Sequence, residues 1–276
     1  MTYFTFLAIF LAVPILILLT FIWRRQSGQE KAPLSLRTMG FVIGIHVVLA
    51  VTWTTLWDNY LVATGVWWYD PALVAGITIG YVPIEEYTFF VLQPIMTGLW
   101  LIFLMPHVYK PASLPGDSGL RFRVGTILMV AVLWLFSVGL LSIGFKPGTY
   151  LGLELVWALP PIMLQLAFGA DILRKQWRLV LLTIASATLF LSLADAIAIG
   201  AGTWAIDPAQ STGILIGGIL PVEELIFFVL TNVLIVFGTT LALADESKYR
   251  LRALINAASQ RLVHLDSAVS FSRRPR

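Results

Sequence analysis

Seven apolar runs divide the chain, at roughly 2–23, 38–57, 74–105, 122–145, 150–170, 179–199 and 212–243. Each reaches the ~20 residues that a helix needs to cross a bilayer. In lipid the backbone must satisfy its own hydrogen bonds, and a lone run does so only as a helix. The pattern therefore predicts an all-α membrane protein with seven transmembrane helices. Charged residues make up only 12% of the 276, against about 25% in a soluble domain. The third and seventh runs exceed one crossing, and each is expected to include a half-helix before a proline, Pro83 or Pro221. The first run has no positive leader and no small-residue cleavage site, and Arg24 and Arg25 follow it. It reads as a retained span.

The basic residues give an independent orientation. Arg24, Arg25, Lys31 and Arg37 lie between spans 1 and 2, Lys110, Arg121 and Arg123 between spans 3 and 4, and Arg174, Lys175 and Arg178 between spans 5 and 6. The others follow span 7, so of the 18 only Lys146 falls on the opposite side. The positive-inside rule then places the N-terminus outside and the C-terminus in the cytoplasm of a multi-pass cell-membrane protein. After Asp245, Leu251, Leu254, Ile255, Ala258, Leu262 and Leu265 follow helical spacing among basic residues. They form either an amphipathic helix on the inner leaflet or a weakly ordered basic tail. The chain has no cysteine and only three scattered histidines. No Cys-based or His-spaced metal site is expected, and no metal. No basic cluster interleaves with aromatics, which argues against a nucleic-acid partner.

The sequence also repeats itself. Asp58, Gly65, Trp67, Asp70 and Pro71 recur as Asp195, Gly202, Trp204, Asp207 and Pro208, at one constant offset. Pro83-Ile-Glu85-Glu86-x-x-Phe89-Phe90 recurs as Pro221-Val-Glu223-Glu224-x-x-Phe227-Phe228, with the offset longer by one residue. The unit is three spans. Three is odd, so span 4 is needed as a spacer to keep both copies in the same orientation. The expected organisation is a first repeat over 1–108, a linker with the spacer span over 109–147, a second repeat over 148–243 and a basic tail over 244–276. Two parallel repeats would place a shared site between them.

Carboxyls at membrane depth are expensive, so Glu85, Glu86, Glu223 and Glu224 are the leading candidates for chemistry. Adjacent helical residues point about 100° apart. One Glu of each pair can face a cavity while the other faces a neighbouring helix. The i, i+4 rule sets Phe89 and Phe90 beside Glu85 and Glu86, and Phe227 and Phe228 beside Glu223 and Glu224. Two close carboxyls in a low dielectric do not readily both ionise, which favours a neutral acid beside a carboxylate base. The alternative use of such pairs is to lock helices together. Asp58 and Asp195 are expected to end spans 2 and 6, where an acid is unfavourable, and so are candidates for the site. Asp70 and Asp207, each before proline, are expected to cap spans 3 and 7. Trp67, Trp68 and Trp204 fit interface anchors, or for a cation the wall of a site. Glu154 has no match in the other half and reads as an interfacial, exposed residue. His46, within span 2, reads as a structural hydrogen-bonding residue.

With these strings in hand, the chain resembles the integral-membrane lycopene cyclases of the heterodimeric type, in the form that fuses the two small subunits. The same domain forms the N-terminal part of the fungal bifunctional lycopene cyclase/phytoene synthases. The resemblance covers spans 1 to 7 and rests on the two Pro-x-Glu-Glu-x-x-Phe-Phe strings. It implies closure of the linear ends of lycopene into β-ionone rings, an isomerisation with no cofactor. The glutamates would supply acid and base. Phe89, Phe90, Phe227, Phe228, Trp67 and Trp204, with Asp58 and Asp195, would contact the substrate. The implied partners are lycopene or a related linear carotenoid, membrane lipid and other enzymes of the carotenoid pathway. A cyclase for C50 carotenoids or ε-rings has the same features. From a different class, a transporter or proton channel also fits parallel repeats with midplane carboxyls. A retinal photoreceptor is excluded, since 212–243 holds no Lys for a Schiff base.

Overall fold

The computed structural model describes residues 1–27, 35–109, 119–256 and 259. Among them, seven helices are long and apolar enough to cross a membrane, as expected. The first crossing, Tyr3–Arg25, joins α1 (Tyr3–Leu7), a π-helical turn at Ala8–Ala12 and α2 (Val13–Ser27). The irregular turn lies just before Pro14, whose nitrogen has no hydrogen to donate backwards. The others are α3 (Leu36–Ala63), α4 (Ile84–Val108), α5 (Leu120–Ser142), α6 (Thr149–Lys175), α7 (Trp177–Gly200) and α8 (Val222–Leu243). Large apolar side chains such as Leu16, Trp23, Leu56, Leu128 and Leu164 point outward from the bundle. Lipid is the solvent that suits such a surface.

The α4 and α8 helices stand at the centre. α4 packs on α2, α3, α7 and α8, and α8 also packs on α3, α6 and α7. A buried amide joins them. Asn232 on α8 accepts from Gln93 (3.1 Å) and Thr97 (2.8 Å) on α4 and donates to Thr188 (3.1 Å) on α7. By contrast α5, the expected spacer, packs chiefly on α6 and is the most exposed crossing.

Spans 3 and 7 depart from expectation at their starts. Instead of half-helices before the prolines, short antiparallel pairs form: β2 (Thr78–Ile79) with β3 (Val82–Pro83), and β5 (Leu215–Ile216) with β6 (Leu220–Pro221). Gly76, Gly80, Gly213, Gly217 and Gly218 take φ between +60° and +75°, which no helix permits. Pro83 and Pro221 are extended and sit just ahead of α4 and α8. Asp70 and Asp207 consequently cap no span. Each closes a local turn, accepting from Ala72 N–H (2.9 Å) and Ala209 N–H (3.0 Å). The Ala209 bond, followed by the Gln210 amide, holds the Asp207 carboxyl below its usual range.

The repeated glycines act at helix ends. Beyond α3, Gly65 (φ 69°) donates to Val62 O, and Val66 N–H reaches back to Leu61 O at 2.9 Å. Gly202 and Thr203 do the same after α7. This left-handed stop satisfies the last carbonyls and turns the chain sharply. It delivers the tryptophans into β1 (Trp67–Tyr69) and β4 (Trp204–Ile206), which pair antiparallel with Trp68 opposite Ala205.

At the opposite end, residues 245–256 are helical. Arg250 holds Asp171 through two nitrogens, at 2.6 and 3.0 Å, and Lys175 meets Glu246 at 3.5 Å. Leu251, Leu254 and Ile255 are exposed. The rest of the expected amphipathic segment lies outside the described residues.

Candidate functional site

The first turns of α4 and α8 separate each glutamate pair, as the 100° rule expects, but the carboxyl turned from the cavity meets its own loop and not a neighbouring helix. Glu85 turns back to its own loop and accepts from Ala75 N–H at 2.6 Å. Glu223 does likewise, accepting from Thr212 N–H (2.6 Å) and the Ser211 hydroxyl (3.2 Å). Glu86 and Glu224 instead enter one cavity between the two halves of the chain. Glu86 accepts from the hydroxyls of Tyr3 (2.5 Å) and Tyr69 (3.0 Å). Glu224 accepts from the Tyr150 hydroxyl at 2.8 Å. Burial, and then the charges of Asp58 and Glu86, push the Tyr69 phenol up, so it remains a donor.

Asp195 joins the cavity wall and accepts from the Trp204 indole at 3.0 Å. It lies inside α7 rather than at its end. Asp58 likewise lies inside α3, wholly buried, near Glu86 but off the wall, and neither oxygen has a hydrogen-bond partner. Aromatic rings form most of the remaining wall: Phe6, Trp67, Phe89, Trp204, Phe227 and Phe228. Phe90 is not among them and packs on Tyr87. The ring that shares the wall with Glu86 is therefore Phe89, three residues on, not Phe90 at i+4. Trp68 is exposed, as an anchor requires. His46 bonds to Val42 O within its own helix. Among the described residues no group of three or more His, Asp or Glu side chains is arranged to hold a metal ion.

Tyr3 and Tyr150 join the site from outside the expected set, and their signal in the sequence is faint. Tyr3 and Pro14 recur as Tyr150 and Pro161, at an offset unlike that of the other strings. The structure makes the match plain, because Tyr3 N–H donates to Leu73 O and Tyr150 N–H to Gln210 O, themselves matched positions. Tyr69 has Ile206 at its matched place and left no such trace. Glu154 overturns the reading of an exposed interfacial acid. It lies in the second turn of α6, close to Glu223 and Glu224 of α8, and its side chain is 0% exposed.

Fold and site together define a multi-pass membrane protein with two glutamates in one small, aromatic cavity. The sequence profile described as lycopene cyclase matches residues 1–104 and 147–242. The chain belongs to the lycopene cyclase family. It is 36% identical over 240 residues to a lycopene beta-cyclase of Halobacterium salinarum, covering 87% of this chain and 95% of that protein. It is also 36% identical to the bifunctional lycopene cyclase/phytoene synthase of Phaeosphaeria nodorum, over 82% of this chain and 38% of that one. The corresponding protein of Blakeslea trispora is 36% identical over 70% of this chain and 32% of its own length. No solved structure matches.

Proposed function

We propose that the chain is a carotenoid cyclase that converts the ψ-ends of lycopene to β-ionone rings, giving γ-carotene and β-carotene. The observation that carries this reading is the meeting of Glu86 and Glu224, each held by phenol hydroxyls, in one aromatic cavity. One carboxylic acid adds its proton to C2 of the terminal C1=C2 bond, leaving a cation at C1. The C5=C6 electron pair forms the C1–C6 bond and moves the charge to C5. A carboxylate removes the C6 proton, and C5=C6 re-forms. One proton enters and one leaves, and no electron is transferred. The faces of Phe89, Phe227, Trp67 and Trp204 stabilise the cation and exclude water that would trap it as an alcohol. The cavity measures about 50 Å³, room for one or two groups the size of water. The rings must therefore part to admit a substrate end.

The same reading treats the chain as two parallel three-helix repeats around a spacer, with the domain limits given above. The register of β1 and β4 supports it, since Trp68 and Ala205 face each other and are matched positions of the repeat. It sets the cavity at the outer face and the N-terminus outside. The chain lacks cysteine, so single cysteines report the orientation cleanly. Ala72→Cys and Ala209→Cys should react with an impermeant thiol reagent on intact cells, and Arg178→Cys only after lysis. The reverse pattern would invert the protein.

The activity itself is tested in a lycopene-accumulating bacterial host, with pigments separated by chromatography. γ-Carotene and β-carotene should appear with the wild type and vanish with Glu86→Gln or Glu224→Gln at equal expression. Unchanged lycopene with well-expressed wild type would overturn the lycopene reading and direct the assay to C50 carotenoids.

A further inference from the structure

Glu154 sits on α6 one helical turn beyond Tyr150, with 0% of its surface exposed. Neither of its oxygens makes a hydrogen bond of good geometry, and the hydroxyl that approaches it is that of Tyr150. A buried carboxyl so poorly satisfied is costly, so packing alone gives no reason for it. The matched position in the first copy is Leu7, equally buried at 2%, which shows that the fold accepts a plain hydrocarbon there. The titratable groups that face Glu154 are Glu224 and Glu223 from α8 and Tyr150 from its own helix. α3 and α5 meet this stretch of α6 through neutral indoles, Trp57 donating to Leu153 O (3.1 Å) and Trp134 to Val156 O (3.2 Å). Glu154 does not line the cavity. Tyr150 does, and its hydroxyl donates to Glu224.

We infer that Glu154 is a proton reserve for Glu224, acting through the Tyr150 hydroxyl. It is a positioning residue, not a catalytic one. When Glu224 gives its proton to C2 of the substrate, the Tyr150 hydroxyl passes its proton to Glu224 and takes one from Glu154. Glu86 takes the proton from C6 and passes it across the cavity to Glu224, which returns one through Tyr150 to Glu154, so none is gained or lost over a turnover. The arrangement assigns Glu224 as the acid. Glu86, which accepts from two phenols and has Leu7 at the position matched to Glu154, is the base; the buried Asp58 near it is linked to it by no bridging hydroxyl among the described residues. The two halves of the site are thus chemically unequal although their strings repeat.

The inference rests on the cyclase reading, and the test separates the two. Glu154→Leu, Glu154→Gln and Glu154→Asp are compared in membranes for thermal stability, kcat and KM with lycopene in liposomes, in H2O and D2O. Leu and Gln should fold and keep KM, lose about 100-fold in kcat and show a larger solvent isotope effect, with Asp restoring part of the rate. The double variant Glu154→Gln/Tyr150→Phe should be no slower than the worse single one, because both cut one path. That non-additivity holds even if one substitution also weakens the fold. Wild-type kcat and isotope effect in Glu154→Leu, or multiplying losses in the double variant, would overturn the relay while leaving the cyclase reading intact. Failure of the wild type to cyclise any ψ-end would overturn the cyclase reading instead.

Discussion

Glu85 and Glu86 are neighbours in the chain, yet a turn of 100° gives them different partners. Glu85 caps the backbone of its own loop at Ala75, whereas Glu86 meets two phenols at the cavity. A glutamine can still accept from the Ala75 N–H through its amide oxygen. Glu85→Gln should therefore keep most of the wild-type pigment yield, while Glu86→Gln loses it. Glu85→Ala removes the acceptor and should cost about 1 kcal/mol of stability, read from the thermal midpoint in detergent. Equal loss of product from Glu85→Gln and Glu86→Gln would give both carboxyls a role in the reaction. The same contrast applies to Glu223 and Glu224.

Between helices, the decisive contacts are few and polar. Asn232 is completely buried and ties α8 to α4 and α7 through three side chains. Lipid gives helices little hydrophobic reason to associate, so such bonds count toward specificity. Asn232→Leu leaves the Gln93 amide without its acceptor in a dry core. A loss of about 1–2 kcal/mol is expected, measured as a lower midpoint of thermal unfolding. Activity should fall less than stability, since Asn232 lies off the cavity wall. The glycine stops after α3 and α7 matter in another way. Gly65 and Gly202 hold left-handed backbone that costs an L-residue roughly 1 kcal/mol, and they aim Trp67 and Trp204 at the site.

Across the whole molecule, the two halves are joined by the β1–β4 ladder, the packing of α4 on α7 and α8 and the shared cavity, none of which uses α5. A chain cut between residues 109 and 119 and co-expressed as two pieces should therefore reassemble, co-purify and make product. Pieces that fold apart and stay inactive would mean that the covalent link is needed. Seven spans, their helical nature and the repeated strings were legible from the sequence, because lipid allows a lone apolar run only one hydrogen-bonded form and because matched spacing survives without coordinates. The side-chain partners were not. Whether Phe89 or Phe90 reaches the cavity depends on how α4 is rotated against its neighbours, and local periodicity carries no record of that. Tyr3 and Tyr69 stand far from Glu86 in the chain and meet it only when α1 and β1 pack on α4. Glu154 reads from sequence as an interfacial acid because its burial comes from packing against distant elements, α8 among them. The sequence alone thus determined the number of crossings and the residue types available for acid–base chemistry. Tertiary packing alone decided which carboxyls share a cavity, since that depends on contacts between segments far apart in the chain.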